Sequence, residues 1–228
     1  MTRPRRLGVI APSSNTVLEP ESQRLLPADG SVTMHVSRLR VTHIAADEAS
    51  RAQFEFEAML EAARQLADAR VDLVLWSGTA ASWLGFGRDE RLVAAIEAET
   101  GIPATTALLA VNRALARLGA RRIGLVTPYV AALEAAIVDN YAAAGIETVR
   151  SRRLDLTVNT DYAEVTPSAI AAMVRDVAAA GPDAVVIMCT NLAGSSVAPA
   201  LAAETGVPVV DSVRVAVEDA LERLRALS

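Results

Sequence analysis

Cys189 is the only cysteine in this chain of 228 residues, and its setting is the strongest chemical signal in the sequence. It follows the apolar run Ala184–Met188 and precedes Thr190-Asn191-Leu192-Ala193-Gly194. A cysteine at a strand-to-helix turn meets backbone N–H groups and a helix N-terminus, which favour thiolate over a reference pKa near 8.5. The plainer reading is a buried structural cysteine, a common fate of that residue. A second polar turn, Pro12-Ser13-Ser14-Asn15-Thr16, closes the first apolar run, Leu7–Ala11. There Ser14 and Asn15 read as N-caps of a helix, or Asn15 and free N–H groups as a seat for a carboxylate. Arg38 and Arg40 lie two apart, on one face of an extended segment. They make either a solvated sheet edge or a clamp on a substrate carboxylate.

Other chemistries are removed by what is missing. All 22 basic residues are arginine. Schiff-base catalysis and the P-loop lysine are therefore excluded. One cysteine allows no intrachain disulfide and no cysteine-rich metal site. The spacing of His35 and His43 fits no standard zinc motif, and both read as surface or strand-end residues. Gly85-Phe86-Gly87-Arg88-Asp89 is a turn into a helix that lacks the dinucleotide fingerprint. A formal net charge of −5 argues against nucleic-acid binding. The apolar runs are too short for a membrane span, and the N-terminal one reads as a strand rather than a signal segment. A cytoplasmic protein is expected.

The elements that must position these residues come in two copies. Strand-like runs (Leu7–Ala11, Val32–Leu39, Val71–Trp76) alternate with helical ones (Phe54–Ala69, Arg91–Glu99), the pattern of parallel strands with helical crossovers. Then the series restarts. Arg6-Leu7-Gly8-Val9-Ile10-Ala11-Pro12-Ser13 matches Arg122-Ile123-Gly124-Leu125-Val126-Thr127-Pro128-Tyr129. Asp72-Leu73-Val74-Leu75-Trp76-Ser77-Gly78-Thr79 matches Asp183-Ala184-Val185-Val186-Ile187-Met188-Cys189-Thr190. Glu99-Thr100-Gly101-Ile102-Pro103 matches Glu204-Thr205-Gly206-Val207-Pro208, and a helix closes each copy (Leu108–Leu118, Val213–Leu227). The expected fold is α/β: two flavodoxin-like units with parallel sheets, residues 1–118 and 119–228, related by a pseudo-two-fold, with the last helix free to pack back on the first unit. Ligands of such sheets lie beyond the carboxyl ends of the strands. The loops there, 12–16, 78–82, 128–131 and 189–194, converge on one cleft if the units face each other. Gly78 then stands opposite Cys189.

The Pro-Ser-Ser-Asn-Thr opening, Thr127-Pro128-Tyr129, Met188-Cys189-Thr190 and the duplication together resemble the aspartate/glutamate racemase superfamily, in particular its branch of arylmalonate decarboxylases and maleate cis–trans isomerases. The racemases and maleate isomerases carry a cysteine on each wall. This sequence matches that pattern only at Cys189. Gly78-Thr79 resembles the decarboxylase instead, where a glycine and a threonine hold the first position. The resemblance implies a cofactor-independent decarboxylation of a substituted malonate: Thr79 and Tyr129 donate hydroxyls to the enediolate, the Gly78 and Cys189 turns add N–H groups, and Cys189 protonates one face. It also implies a substrate site at Pro12, Ser14, Asn15, Gly78, Ala80, Thr190 and Asn191, with Arg40 included if it points inward. The sequence departs from the decarboxylase at Ala80, where that enzyme has serine, and at Thr190, where it has glycine; Ser82 or Asn191 is available to compensate. No metal, no cofactor, no nucleic acid and no membrane partner is expected, and a homo-oligomer is compatible with the sequence. Two other readings stand beside this one: a maleate isomerase-like enzyme with Cys189 as nucleophile, and a non-catalytic binder of small carboxylates.

Overall fold

A computed structural model describes residues 3–227. Its first half runs β1 (Arg5–Pro12), α1 (Leu18–Leu25), β2 (Val32–Leu39), α2 (Glu48–Ala52), α3 (Phe56–Asp68), β3 (Leu73–Trp76), α4 (Ala81–Leu84), α5 (Gly87–Thr100), β4 (Ala104–Thr106) and α6 (Ala107–Leu118). The second runs β5 (Arg122–Thr127), α7 (Ala131–Ala143), β6 (Glu147–Arg153), α8 (Asn159–Ala163), α9 (Pro167–Ala178), β7 (Ala184–Ile187), α10 (Ala198–Thr205), β8 (Val209–Asp211) and α11 (Ser212–Ala226). The strands form two parallel four-stranded sheets, ordered β2-β1-β3-β4 and β6-β5-β7-β8. The expected pair of α/β units is therefore present. Among the described residues no helix is long and apolar enough to cross a membrane.

The duplication holds atom by atom. Asp72 accepts the Arg6 N–H at 2.7 Å, and Asp183 accepts that of Arg122 at 2.8 Å. These carboxylates start β3 and β7 in register beside β1 and β5. Gly8 and Gly124 let a helix approach each central strand: a Cβ would lie 2.9 Å from Val71 at the end of the α3 crossover, and 2.8 Å from Val177 of α9. The repeated Glu-Thr-Gly-x-Pro pentad is a helix stop. Gly101 and Gly206 cap α5 and α10 in the left-handed region (φ 68° and 71°), which suits glycine. Thr100 and Thr205 bond back to the carbonyls of Ile96 and Leu201.

β3 and β7 are wholly buried, which is why both read as unbroken apolar runs. The last helix, α11, packs on α6 and α1 of the first half. Asp219 of α11 is buried there between Arg113, at 2.6 Å, and Arg223, at 2.8 Å. A second junction joins the halves at the carboxyl ends of the strands. The Ile44 N–H donates to the Thr157 carbonyl at 2.8 Å, and the Asn159 N–H to the Thr42 carbonyl at 3.0 Å.

Candidate active site

Beneath that junction lies a cavity lined by Pro12, Asn15, Gly78, Thr79, Ala80, Tyr129, Cys189, Thr190 and Asn191 of the sequence-derived set. Four turns, each leaving a central strand, bring these residues together. Ile44, Phe54, Trp83 and Asn159 complete the wall. The cavity measures about 20 Å³, on the order of one water molecule.

Hydrogen bonds cross the pseudo-two-fold in matched pairs. Asn15, from the β1 turn, donates its amide to the Thr190 carbonyl at 3.1 Å and to the Thr190 hydroxyl at 3.3 Å. Tyr129, from the β5 turn, meets Thr79 oxygen to oxygen at 3.0 Å. Thr79 and Thr190 are repeat equivalents. Each half therefore sends a side chain from its first turn to the threonine of the other half's third turn, and neither half holds a complete site alone.

The polar wall is satisfied from within. Asn15 Oδ1 accepts the N–H groups of Val17 and Leu18. Asn191 Oδ1 accepts from Thr16 and Val17, and its amide reaches the Asn159 carbonyl at 2.6 Å. Asn159 Nδ2 donates to the Ser14 hydroxyl at 2.7 Å, and that hydroxyl donates to the Val41 carbonyl. Ser14 thus supports the wall without lining the cavity. Asn15 acts as a cap, but α1 starts later than the turn implied, at Leu18. Arg40 is exposed and is not on the lining. Its alternation with buried Leu39 and Val41 turns it outward, so the inward reading of Arg40 is not met. Among the described residues no cationic side chain lines the cavity, and no group of three His, Cys, Asp or Glu side chains is placed to hold a metal.

Cys189 corrects one expectation. No helix begins beside it: the next, α10, starts at Ala198 after a series of turns. Cys189 is 3% exposed. Burial pushes its pKa up to about 12, against the opposing pull of the Asn191 N–H, 3.4 Å from Sγ, and of a hydrogen bond from Tyr129. Burial thus favours the protonated thiol over the thiolate. Asp211 reinforces this. It pairs with Ile187 in the sheet, and its charge, when present, opposes a thiolate at Cys189. Burial first, and then Glu21, raise the Asp211 carboxyl to about 7. Tyr129 is likewise held neutral, chiefly by burial and then by the neighbouring Cys189.

The first-half wall is aromatic. Phe54 meets Trp83 and Trp76 edge-on, with ring centres 5.6 and 6.5 Å away. The Trp76 indole fills the space a side chain on Gly78 would need. Phe54 and Ile44 were not apparent as site residues in the sequence, because the long segment after β2 carries no motif. Asn159 and Asp211 likewise lie outside every motif of the sequence.

The family model described as arylmalonate decarboxylase matches residues 7–226. The maleate isomerase of Pseudomonas putida KT2440 is 30% identical, over 92% of this chain and 88% of that protein. The arylmalonate decarboxylase of Bordetella bronchiseptica is 25% identical, over 90% and 85%. The crystal structure of the maleate isomerase Iso from Pseudomonas putida S16 superposes with a TM-score of 0.88 at 27% identity, covering 98% of this chain and 94% of that one.

Proposed function

The chain belongs to the arylmalonate decarboxylase family, and from that premise we propose that it decarboxylates a malonate carrying an aryl or similarly apolar substituent, without a cofactor. The observation that carries this reading is a single buried thiol in a cavity whose lining has a glycine, Gly78, at the position equivalent to it in the first half. One-sided protonation needs one acid; a racemase needs an acid on each face.

In the proposed reaction the bond between the α-carbon and one carboxylate breaks, and carbon dioxide leaves. The electron pair passes into the remaining carboxyl group as an enediolate. Among the described residues the N–H groups of Gly78, Thr79, Cys189 and Thr190 have no acceptor of their own. With the Thr79 and Tyr129 hydroxyls they form a donor set for the enediolate oxygens, each such donor being worth roughly 2.7–4 kcal/mol in comparable sites. The Cys189 S–H gives its proton to the α-carbon, and solvent returns one to the sulfur. Phe54 and Trp83, packed edge-on, offer an apolar wall to the substituent. Among the described residues the lining offers the departing carboxylate no cation.

The greater identity to a maleate isomerase favours a second reading. In it the Cys189 sulfur adds to a cis double bond, the resulting single bond rotates, and the sulfur leaves. Burial of the thiol and the glycine at position 78 weigh against it. The test is to incubate the protein with phenylmalonate and, separately, with maleate. Carbon dioxide release from the first supports the decarboxylase. Fumarate from the second, with no release from the first, refutes it. Ligand protection of Cys189 with no turnover of either compound points to a binder.

A further inference from the structure

Arg38 is exposed on the edge strand β2, as the solvated-edge reading expects, and off the cavity lining, so it is no substrate clamp; its guanidinium is nevertheless held by the protein. It stands on β2 opposite Ala11 of β1. Its Nη1 donates to the carbonyls of Pro12 (3.2 Å), Ser13 (3.2 Å) and Asn15 (3.0 Å), and its Nη2 pairs with Glu19 in the first turn of α1. The second half repeats the frame. Arg153 of β6 stands opposite Thr127, the repeat equivalent of Ala11, and pairs at 2.8 Å with Glu134 in the first turn of α7.

We propose that Arg38 is a positioning residue that sets the Pro12–Asn15 turn for an anionic substrate and, through Asn15, steadies the turn that carries Cys189. Three carbonyl oxygens are drawn to a guanidinium that is not on the cavity lining. Their negative ends are thereby neutralised and kept from a carboxylate in the cavity. The planar fork suits this task, since it gathers several acceptors without needing to be buried. The path to the sulfur is short. Arg38 holds the Asn15 carbonyl, the Asn15 amide holds the Thr190 carbonyl at 3.1 Å, and Thr190 adjoins Cys189. The inference rests on the cavity being the reaction site, but its test needs no turnover.

The lone thiol reports on this turn. Cys189 is labelled with a disulfide reagent at fixed pH in the parent, in Arg38→Ala, and in Arg40→Ala as a control with the same charge change. Arg38→Ala should label at least about tenfold faster, the effect of losing one hydrogen bond to a charged group, while Arg40→Ala matches the parent. Guanidinium ion at subdenaturing concentration should slow Arg38→Ala towards the parent rate and leave Arg40→Ala unchanged, a rescue that a general loosening would not give. Equal rates in all three proteins, or equal acceleration in both variants, overturn the proposal. Should Arg38→Ala fail to fold, Glu19→Gln takes its place by freeing the guanidinium from its anchor. Faster labelling in that variant supports the proposal, and an unchanged rate overturns it. A protein inert towards malonates still gives these results, so failure of the decarboxylase reading is distinguishable from failure of this one.

Discussion

On the proposed arrangement of the cleft, replacing Gly78 by cysteine puts a second thiol on the wall opposite Cys189, and the structure says what that substitution meets. Gly78 is not among the positive-φ glycines, so its backbone accepts a side chain. The obstacle is Trp76, which is 1% exposed: a Cβ on residue 78 falls inside its indole, 2.8 Å from Cη2 and closer still to Cζ2. Overpacking of this kind costs roughly 1–3 kcal/mol. Trp76→Leu removes the clashing ring atoms and leaves a partial void, at less than the roughly 3–5 kcal/mol of a full truncation to alanine. The two changes share one space, so the double variant should be more stable than the sum of the single losses predicts, by about 1–3 kcal/mol. Urea unfolding of the parent, both single variants and the double variant measures this coupling. Additivity within about 0.5 kcal/mol would show that Trp76 does not occupy the position-78 space. The folded double variant then tests the chemistry. Single-enantiomer product is incubated in deuterated water, and deuterium uptake is followed together with optical rotation. Uptake with inversion, absent in the parent, is expected from acids on opposite faces. A folded double variant with no uptake, whose new thiol is not protected by ligand, would refute the inferred opposition of residues 78 and 189.

Cys189→Ala should keep its circular dichroism spectrum and lose at least about a hundredfold in rate, the scale of general acid catalysis; near-parental activity would sink the proton-donor role. Chelators should leave the rate unchanged, since the cavity offers a thiol, hydroxyls and amides but no carboxylate or imidazole; activity lost to EDTA and restored by a divalent ion would contradict this. Asp211 has a folded pKa of about 7 against an ordinary 3.8. The native state therefore holds a proton that the unfolded chain releases, and the contribution of Asp211 to stability falls as pH rises from about 4 to 7. Asn caps a helix as well as Asp does, so Asp211→Asn should flatten that fall and gain stability at pH 8 but not at pH 4. An equal effect of the substitution at both pH values, in urea unfolding, would count against the raised carboxyl.

The fold was legible because duplication doubles each signal. The Glu-Thr-Gly-x-Pro pentad, for instance, is a capped helix end in both halves. The four turns were legible because each follows a buried apolar strand and carries small or polar residues. Segments without a repeat or an apolar rhythm were not. Phe54 and Asn159 reach the cavity from such stretches, and only tertiary contacts place them there. The state of Cys189 was misjudged for a related reason. A strand followed by Thr-Asn-Leu-Ala-Gly resembles the start of a helix, but Gly194 passes so close to Asp211 and Ile187, with a Cβ position 2.6 Å from Asp211 Oδ2, that the chain is held in turns until Ala198. Local sequence reports the turn residues, while depth of burial, which sets the thiol's protonation, depends on the other half of the molecule.

The same geometry shows how a duplicated scaffold becomes one-sided. Trp76 and Ile187 are repeat equivalents, as are Gly78 and Cys189. On one wall a large residue fills the space in front of a glycine; on the other a smaller residue leaves room for a thiol. Bulk and reactive group thus lie at different positions in the two halves. The crossing bonds, Asn15 to Thr190 and Tyr129 to Thr79, remain on both walls to hold the turns apart. On the proposed reaction, an enediolate held between those walls would meet the Cys189 S–H on one face and Gly78, backed by the Trp76 indole, on the other. The proposal then requires protonation from the Cys189 side alone and a single enantiomer as product.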